Sequence, residues 1–101
     1  MRMHDPAHPG EILREFYMDP YGLSARDLAK RLGVSHSTVV RLISQQAAIS
    51  ADMAIRLERA LGLSAETWLG MQKNRDLWLA QQANSHDEIA AIDFTQLAKT
   101  A

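Results

Sequence analysis

The sequence predicts an all-α fold, and three observations favour this class. No stretch alternates polar and apolar residues strongly enough to predict a strand. Apolar residues recur instead at the spacing of amphipathic helices. Serines precede these segments and glycines follow two of them, as is typical of helix starts and ends. With 101 residues, of which 47% are hydrophobic, the chain is long enough for one domain with a modest core.

The first predicted helix begins at Pro9, because proline suits the first helical position, and it ends near Met18. His8 belongs to its N-cap region, and Glu11 in the first turn favours the positive end of the helix dipole. The predicted inner face is Ile12, Leu13 and Phe16, and the connector that follows contains Asp19, Pro20 and Gly22.

Residues 23–50 predict two short helices joined by a tight turn. Ser24 is expected to cap the first helix and Ser35 the second, while Gly33 between them suits a helix end with positive φ. If Ala29 is the fifth position of the motif, Gly33 is the ninth and Val39 the fifteenth, as in DNA-binding helix-turn-helix units. An ordinary helical hairpin that binds nothing is the alternative, but it needs no polar, uncharged start on its second helix. The inner faces are Leu28, Ala29 and Leu32, then Val39, Leu42 and Ile43.

Two further helices follow a loop over residues 45–49. Ser50 is expected to cap the fourth helix, which Gly62 ends, and Ser64 to cap a fifth helix that runs to Gln82. Their predicted inward residues are Met53, Ala54, Leu57 and Leu61, then Trp68, Leu69, Met71 and Leu77. Residues 1–82 therefore form the predicted domain. Residues 83–101 form a tail, partly disordered, in which Ile89, Ile92, Phe94 and Leu97 fit either a short helix or an extended arm.

A helix-turn-helix places the amino end of its second helix against base edges in the major groove. The predicted base contacts are Ser35, His36, Ser37, Thr38 and Arg41. Thr38 and Arg41 share a face, and an arginine can bind guanine through two hydrogen bonds. Helix amino ends also bind phosphate. The predicted phosphate contacts are Ser24, Arg26, Gln45, Gln46 and Ser50.

The charge distribution fits this role better than the total charge. The whole chain has a net charge of −1, but residues 23–59 hold six basic and three acidic side chains, an excess of +3. So small an excess predicts modest nonspecific affinity for DNA and few phosphate contacts. Arg56 and Arg59 are interpreted as charges on a helix surface rather than as DNA contacts.

Other classes of protein fit poorly. The longest segments without a charged residue have ten residues, so no membrane span is predicted. The absence of cysteine fits a cytoplasmic protein without disulfides. Ser35 and His36 are adjacent on a helix and cannot form a nucleophile–base pair, so no enzyme is predicted. His4, Asp5 and His8 have no obvious fourth ligand for a metal, and no cofactor is expected.

Two segments that flank the helix-turn-helix make a resemblance specific. These are HPGEIL at residues 8–13 and LGLSAETWLGMQKNRDLWLAQ at residues 61–81, with the pattern WL-x-x-Q-x-x-x-D-L. Over residues 6–82 the chain resembles HigA-type antitoxins (the VapI group) of the Cro/CI-type (XRE) family. The resemblance implies a five-helix, lambda-repressor-like domain with a short C-terminal tail. It also implies a dimer that binds operator DNA upstream of its own operon and neutralises a HigB-type, mRNA-cleaving toxin. Some members carry Gly-Lys where this chain has Gln45 and Gln46.

A dimer is also expected from geometry, because one recognition helix covers few base pairs and two-fold pairing reads half-sites about 34 Å apart. The fifth helix is the predicted interface, with Trp68, Met71, Trp78 and Leu79 as anchors. Trp68 fits the monomer core equally well. The sequence thus predicts a homodimeric repressor and antitoxin. The alternatives are a free-standing repressor without a toxin and a protein-interaction module that has lost DNA binding.

Overall fold

The computed structural model describes residues 5–98, so His4 and residues 99–101 of the predicted tail lie outside the described residues. All regular secondary structure within 5–98 is helical, which confirms the all-α prediction. The helices are α1 (Pro9–Ile12), α2 (Ala25–Leu32), α3 (His36–Ile43), α4 (Ala51–Leu61), α5 (Ala65–Ala83) and α6 (Phe94–Ala98).

Helix α1 ends at Ile12, but the chain continues as a π-helical segment, Leu13–Met18, so the first helix ends at Met18 as predicted, although only its first turn is α-helical. A 3₁₀ turn, Asp19–Tyr21, follows and ends at Gly22 with a φ of 62°. We call residues 9–21 the first helical segment. The N–H of Asp19 donates to the carbonyl of Arg14, five residues earlier. This wider turn places Leu13 and Met18 on the buried face. Phe16, predicted to point inward from a regular helical spacing, is 60% exposed for the same reason.

The predicted helix starts are confirmed. The hydroxyls of Ser24, Ser35, Ser50 and Ser64 each accept a hydrogen bond from the backbone N–H three residues later, at 3.1–3.2 Å. Each serine satisfies one of the N–H groups that a helix leaves without a partner at its amino end. Gly33 and Gly62 end α2 and α4 with φ values of 70° and 93°, where a residue with a Cβ would be strained.

The core lies between α2, α3 and α4 and is closed by the first helical segment and the first half of α5. Its buried residues are Leu13, Met18, Leu28, Ala29, Leu32, Val39, Leu42, Ile49, Met53, Ala54, Leu57 and Trp68. Helix α5 has 19 residues, so it is longer than the helices on which it packs. Its second half reaches past the core, and Leu77, predicted to be inward, is 36% exposed.

Residues 84–98 form an arm beyond α5. Residues 84–93 have no helical or strand structure, and α6 follows with Asp93 as its cap, the carboxylate of which accepts from the N–H groups of Thr95 and Gln96. The short-helix interpretation is confirmed for Phe94–Ala98, while Ile89 and Ile92 lie in an irregular segment with a turn, in which the Ile89 N–H donates to the His86 carbonyl. Every residue of the arm is exposed, and the molecule is elongated, with extents of 63 × 26 × 23 Å.

Candidate nucleic-acid interface

The turn between α2 and α3 has the geometry of a helix-turn-helix. Gly33 adopts the left-handed conformation, and its N–H closes α2 on the carbonyls of Ala29 and Lys30. Arg56 of α4 completes this end, because its Nη1 donates to the Leu32 carbonyl at 2.7 Å and its Nε donates to Asp52 at 2.8 Å. Arg56 is therefore more than the surface charge predicted from the sequence, because it joins the carbonyl end of α2 to α4.

The amino end of α3 presents a group of polar side chains. Ser35, His36, Ser37 and Arg41 are exposed and Thr38 is half-buried. Four of the five predicted base contacts lie at the amino end of α3, and Arg41 follows Thr38 by three residues on the same face. The Ser35 hydroxyl lies 2.8 Å from that of Thr38 and 3.1 Å from that of Ser37, and it also accepts from the Thr38 N–H. Because the Ser35 oxygen is occupied by this cap, Ser35 is better placed to orient α3 than to bind a base.

The predicted phosphate contacts divide into two kinds. Ser24 and Ser50 use their hydroxyls to cap α2 and α4, which leaves the backbone N–H groups of those helix starts facing solvent. Arg26, Gln45 and Gln46 are exposed. Ser24 and Arg26 lie at the start of α2, while Gln45, Gln46 and Ser50 follow the carboxyl end of α3, and contacts of all five with DNA stay a prediction.

The loop after α3 is held by residues distant in the sequence. The Oε1 of buried Gln72 accepts from the Ile49 N–H at 2.8 Å, and its Nε2 donates to Asp76 at 2.9 Å. Gly10 lies so close to α3 that a Cβ there would overlap the Leu42 carbonyl. The family pattern that includes Gln72 was visible in the sequence, but neither this role nor that of Gly10 was predicted.

His8 joins the first helix to this loop. Its Nδ1 accepts from the Gly10 N–H at 2.9 Å, so His8 caps α1, as the sequence suggested. Burial lowers the pKa of His8 and the nearby Arg75 guanidinium lowers it further, while a hydrogen bond to the Ala47 backbone and two neighbouring carboxylates raise it. The neutral imidazole is the form that can accept from Gly10, so this histidine serves as a structural cap.

One of the four predicted interface residues requires a correction. Trp68 is fully buried in the monomer core, where its ring lies 5.8 Å from that of Tyr17 at a tilt of 52°. A side chain with no exposed surface cannot anchor a partner, so the core interpretation of Trp68 is the right one. Met71 and Trp78 are half-buried and Leu79 is 45% exposed, so these three remain on the surface of α5.

Comparisons with known proteins agree with this geometry. The helix-turn-helix family model matches residues 13–68. Virulence-associated protein I of Dichelobacter nodosus is 52% identical over 75 residues, which cover 74% of this chain and 69% of that protein. Antitoxin HigA-1 of Vibrio cholerae is 38% identical over 73 residues, which cover 72% and 69%.

The chain belongs to the helix-turn-helix family, in its HigA-type antitoxin (VapI) group.

Solved structures support the same placement. The Pseudomonas aeruginosa antitoxin HigA with the higBA promoter has a TM-score of 0.79 and 41% identity, over 87% of this chain and 96% of that one. Antitoxin GraA in complex with its operator has a TM-score of 0.79 and 40% identity, over 92% and 93%. The chain is thus a DNA-binding helix-turn-helix protein with the Cro/CI-like fold, and its family is not one of enzymes. No helix among residues 5–98 is both long and apolar enough to cross a bilayer.

Proposed function

We propose that this HigA-type chain is a homodimeric repressor of its own operon and the antitoxin of a HigB-type, mRNA-cleaving toxin. One observation carries the DNA-binding part: the polar start of α3 is exposed, with Arg41 on the same side, in a fold shared at 41% identity with a HigA antitoxin on its promoter. We assign base contacts to His36, Ser37, Thr38 and Arg41. Ser35, Ser24 and Ser50 position the helix starts, while Arg26, Gln45 and Gln46 reach phosphates.

Binding to the DNA upstream of the chain's own gene tests this assignment. Arg41→Ala is expected to weaken sequence-specific binding by about 10- to 100-fold, the usual contribution of an arginine that makes two hydrogen bonds to guanine. Arg14→Ala is the matched control, since Arg14 is an exposed arginine on the first helical segment and outside the proposed contacts. A salt titration separates the two kinds of contact, because phosphate contacts set the salt slope and base contacts set the specificity. Equal, weak binding of all three proteins to any duplex would refute sequence-specific repression.

The antitoxin part needs a second assay. The product of a toxin-like reading frame beside this gene is expected to co-purify with the chain and to stop cleaving mRNA in its presence. Family membership and the relatives named as HigA antitoxins support this expectation. Tight operator binding with no toxin-like neighbour, or with a neighbour that does not bind, would leave a free-standing repressor.

The homodimer follows from the size of the recognition unit. Helix α3 has eight residues and covers only part of an operator, so two copies are needed to read two half-sites. Met71, Trp78 and Leu79 on the surface of α5 are the proposed contacts between them. Sedimentation equilibrium is expected to give twice the mass of the chain, and a monomer that persists at the concentrations used for operator binding would contradict the proposal.

A further inference from the structure

A groove lies between the first helical segment, α2 and α4, on residues that are not among the proposed DNA contacts. We call it the α2–α4 groove, and it has a volume of about 410 Å³. Its lining residues are Tyr17, Tyr21, Leu23, Arg31, Ala60 and Leu61. A second depression of about 240 Å³ shares Arg31 and Ala60 with it and adds Ile55 and Arg59. The two depressions therefore form one continuous surface.

This surface combines apolar area with positive charge. Tyr21 is 77% exposed and Ile55 is 52% exposed, so the surface offers apolar area to a partner. Arg31 and Arg59 make no salt bridge within residues 5–98, whereas the neighbouring Arg56 is bound to Asp52 and α2. A fitting occupant is therefore a segment with apolar side chains and carboxylates.

The chain carries such a segment in its arm. Ile89, Ile92 and Phe94 are 63–71% exposed, so the arm holds apolar side chains that no part of its own domain covers. Asp87 and Glu88 precede them and form no salt bridge with any described residue. The arm thus presents two carboxylates and then three apolar side chains, which matches the two arginines and the apolar lining of the α2–α4 groove.

The geometry favours the groove of another copy over the arm's own groove. Helix α5 begins beside the groove, where the Ala65 N–H donates to Glu58, and 19 residues carry the chain about 28 Å away before the arm starts. Residues 84–93 span about 33 Å at most when fully extended. Asp87 and Glu88 are only the fourth and fifth residues of the arm, so they reach at most about 18 Å from the end of α5. In the same copy they would lie along α5 and could not reach Arg31 and Arg59 in the groove.

We propose that the arm of one copy docks in the α2–α4 groove of a second copy, with Asp87 and Glu88 near Arg31 and Arg59. This deepens the homodimer proposed above and rests on it. The exchange buries apolar surface on both partners. It also pairs the two carboxylates of the arm with the two arginines of the groove, all of which are otherwise solvated. It also leaves the start of α3 uncovered, so arm exchange and DNA binding are compatible.

Disulfide trapping tests this arrangement directly, because the natural chain has no cysteine. Ile92→Cys is made in one copy and Ala60→Cys in a second copy that carries a mass tag, and the full-length proteins are mixed and oxidised. The mixed disulfide is expected to form about tenfold faster than in a control mixture of Ile92→Cys with His36→Cys, since docking raises the local concentration of the arm at the groove. His36 is exposed, like Ala60, but lies on α3.

Charge reversal and mass measurements make the test specific. Arg59→Glu is expected to slow trapping, and Asp87→Arg in the arm-bearing copy is expected to restore it. Trapping at the rate of the control mixture would overturn the proposal. A disulfide within one chain of the double variant, Ile92→Cys with Ala60→Cys, would also overturn it, because the arm would then dock in its own groove. Trapping that occurs only with added toxin is the third outcome that would overturn it. A dimer mass without trapping overturns arm exchange alone, while a monomer mass overturns the homodimer as well.

Discussion

At its amino end, α3 is fixed by its own neighbours: Ser35 accepts from the Thr38 N–H and contacts the Thr38 hydroxyl, all within four residues. At its carboxyl end, the Leu42 carbonyl packs against Gly10 and the following loop is tied by Gln72. One recognition helix thus depends on a local cap at one end and on contacts 23 to 32 residues away at the other.

The two ends of α3 therefore depend on the rest of the domain to different degrees. A local cap survives small shifts of the domain, because its donor and acceptor move together. The contacts at the carboxyl end exist only when the first helical segment and α5 are docked. Helix α3 is therefore positioned by the fold at one end and by its own sequence at the other, and substitutions at the two ends should differ in size.

The largest effect is expected from Gly10→Ala. A Cβ at residue 10 overlaps the Leu42 carbonyl, and backbone atoms cannot move aside as a flexible side chain does. We expect a loss of about 3 kcal/mol in the free energy of unfolding, the upper part of the usual range for overpacking. Chemical denaturation of the purified variant measures it.

Gly70→Ala is the matched control for that substitution. Gly70 lies within α5, and a Cβ there meets nothing within 4 Å. Alanine is the better helix former by about 1 kcal/mol, so this variant is expected to be more stable than the natural chain. If both alanine variants shift stability in the same direction, close packing of Gly10 on α3 is not the cause.

The next largest effect is expected from Gln72→Ala. It leaves the buried N–H of Ile49 without an acceptor, which costs about 1–3 kcal/mol. Operator affinity is expected to fall as well, because the loop that carries Gln45 and Gln46 loses its tie to α5. Gln81→Ala, an exposed glutamine of the same helix, is the control and should change neither. An unchanged unfolding midpoint in Gln72→Ala would show that the loop does not need this bond.

The sequence predicted the contacts at the amino end of α3 well, because they are local, and the contacts at its carboxyl end poorly, because they join residues that are distant in the sequence. A serine three residues before an N–H is visible in the sequence, and so is a glycine where φ must be positive; Ser35 and Gly33 were both predicted on these grounds. Gln72 and Arg56 act through partners more than twenty residues away, and their roles required the fold. Phe16 was misplaced because nothing in its local pattern distinguishes a π-helical turn from an α-helical one.

A smaller loss of stability is expected from removing the cap at the amino end of α3. Ser35→Ala removes the cap of α3 and is expected to cost about 1 kcal/mol, while Ser35→Asp keeps an acceptor and should cost less. Thermal unfolding of both variants measures the difference. A loss in Ser35→Ala as large as that in Gly10→Ala would remove the distinction between the two ends.

The pH dependence of stability tests the contacts at the carboxyl end of α3 through His8, which binds the N–H of Gly10. Since burial and Arg75 lower its pKa in the folded state, the unfolded chain binds more protons below about pH 6.5, so stability is full above that pH and falls as the solution is acidified. One such group contributes at most about 0.7 kcal/mol between pH 7 and pH 6. His8→Asn keeps a side-chain acceptor for Gly10 and does not titrate, so its stability curve should be flatter. If stability depends on pH in the same way in both proteins, a group other than His8 causes the pH dependence.

The smallest expected effect is a gain at the first residue of the loop. Gln45 has a φ of 65°, a conformation that costs a residue with a Cβ about 1 kcal/mol, so Gln45→Gly should raise the free energy of unfolding by about 0.5 kcal/mol. Gln46 has no positive φ, so Gln46→Gly should lower it. Both variants remove a glutamine proposed to reach phosphate, and both should weaken operator binding. Opposite changes in stability with equal losses in affinity would show that the side chains bind DNA. Affinity that follows stability would mean instead that residues 45 and 46 act only through the shape of the loop.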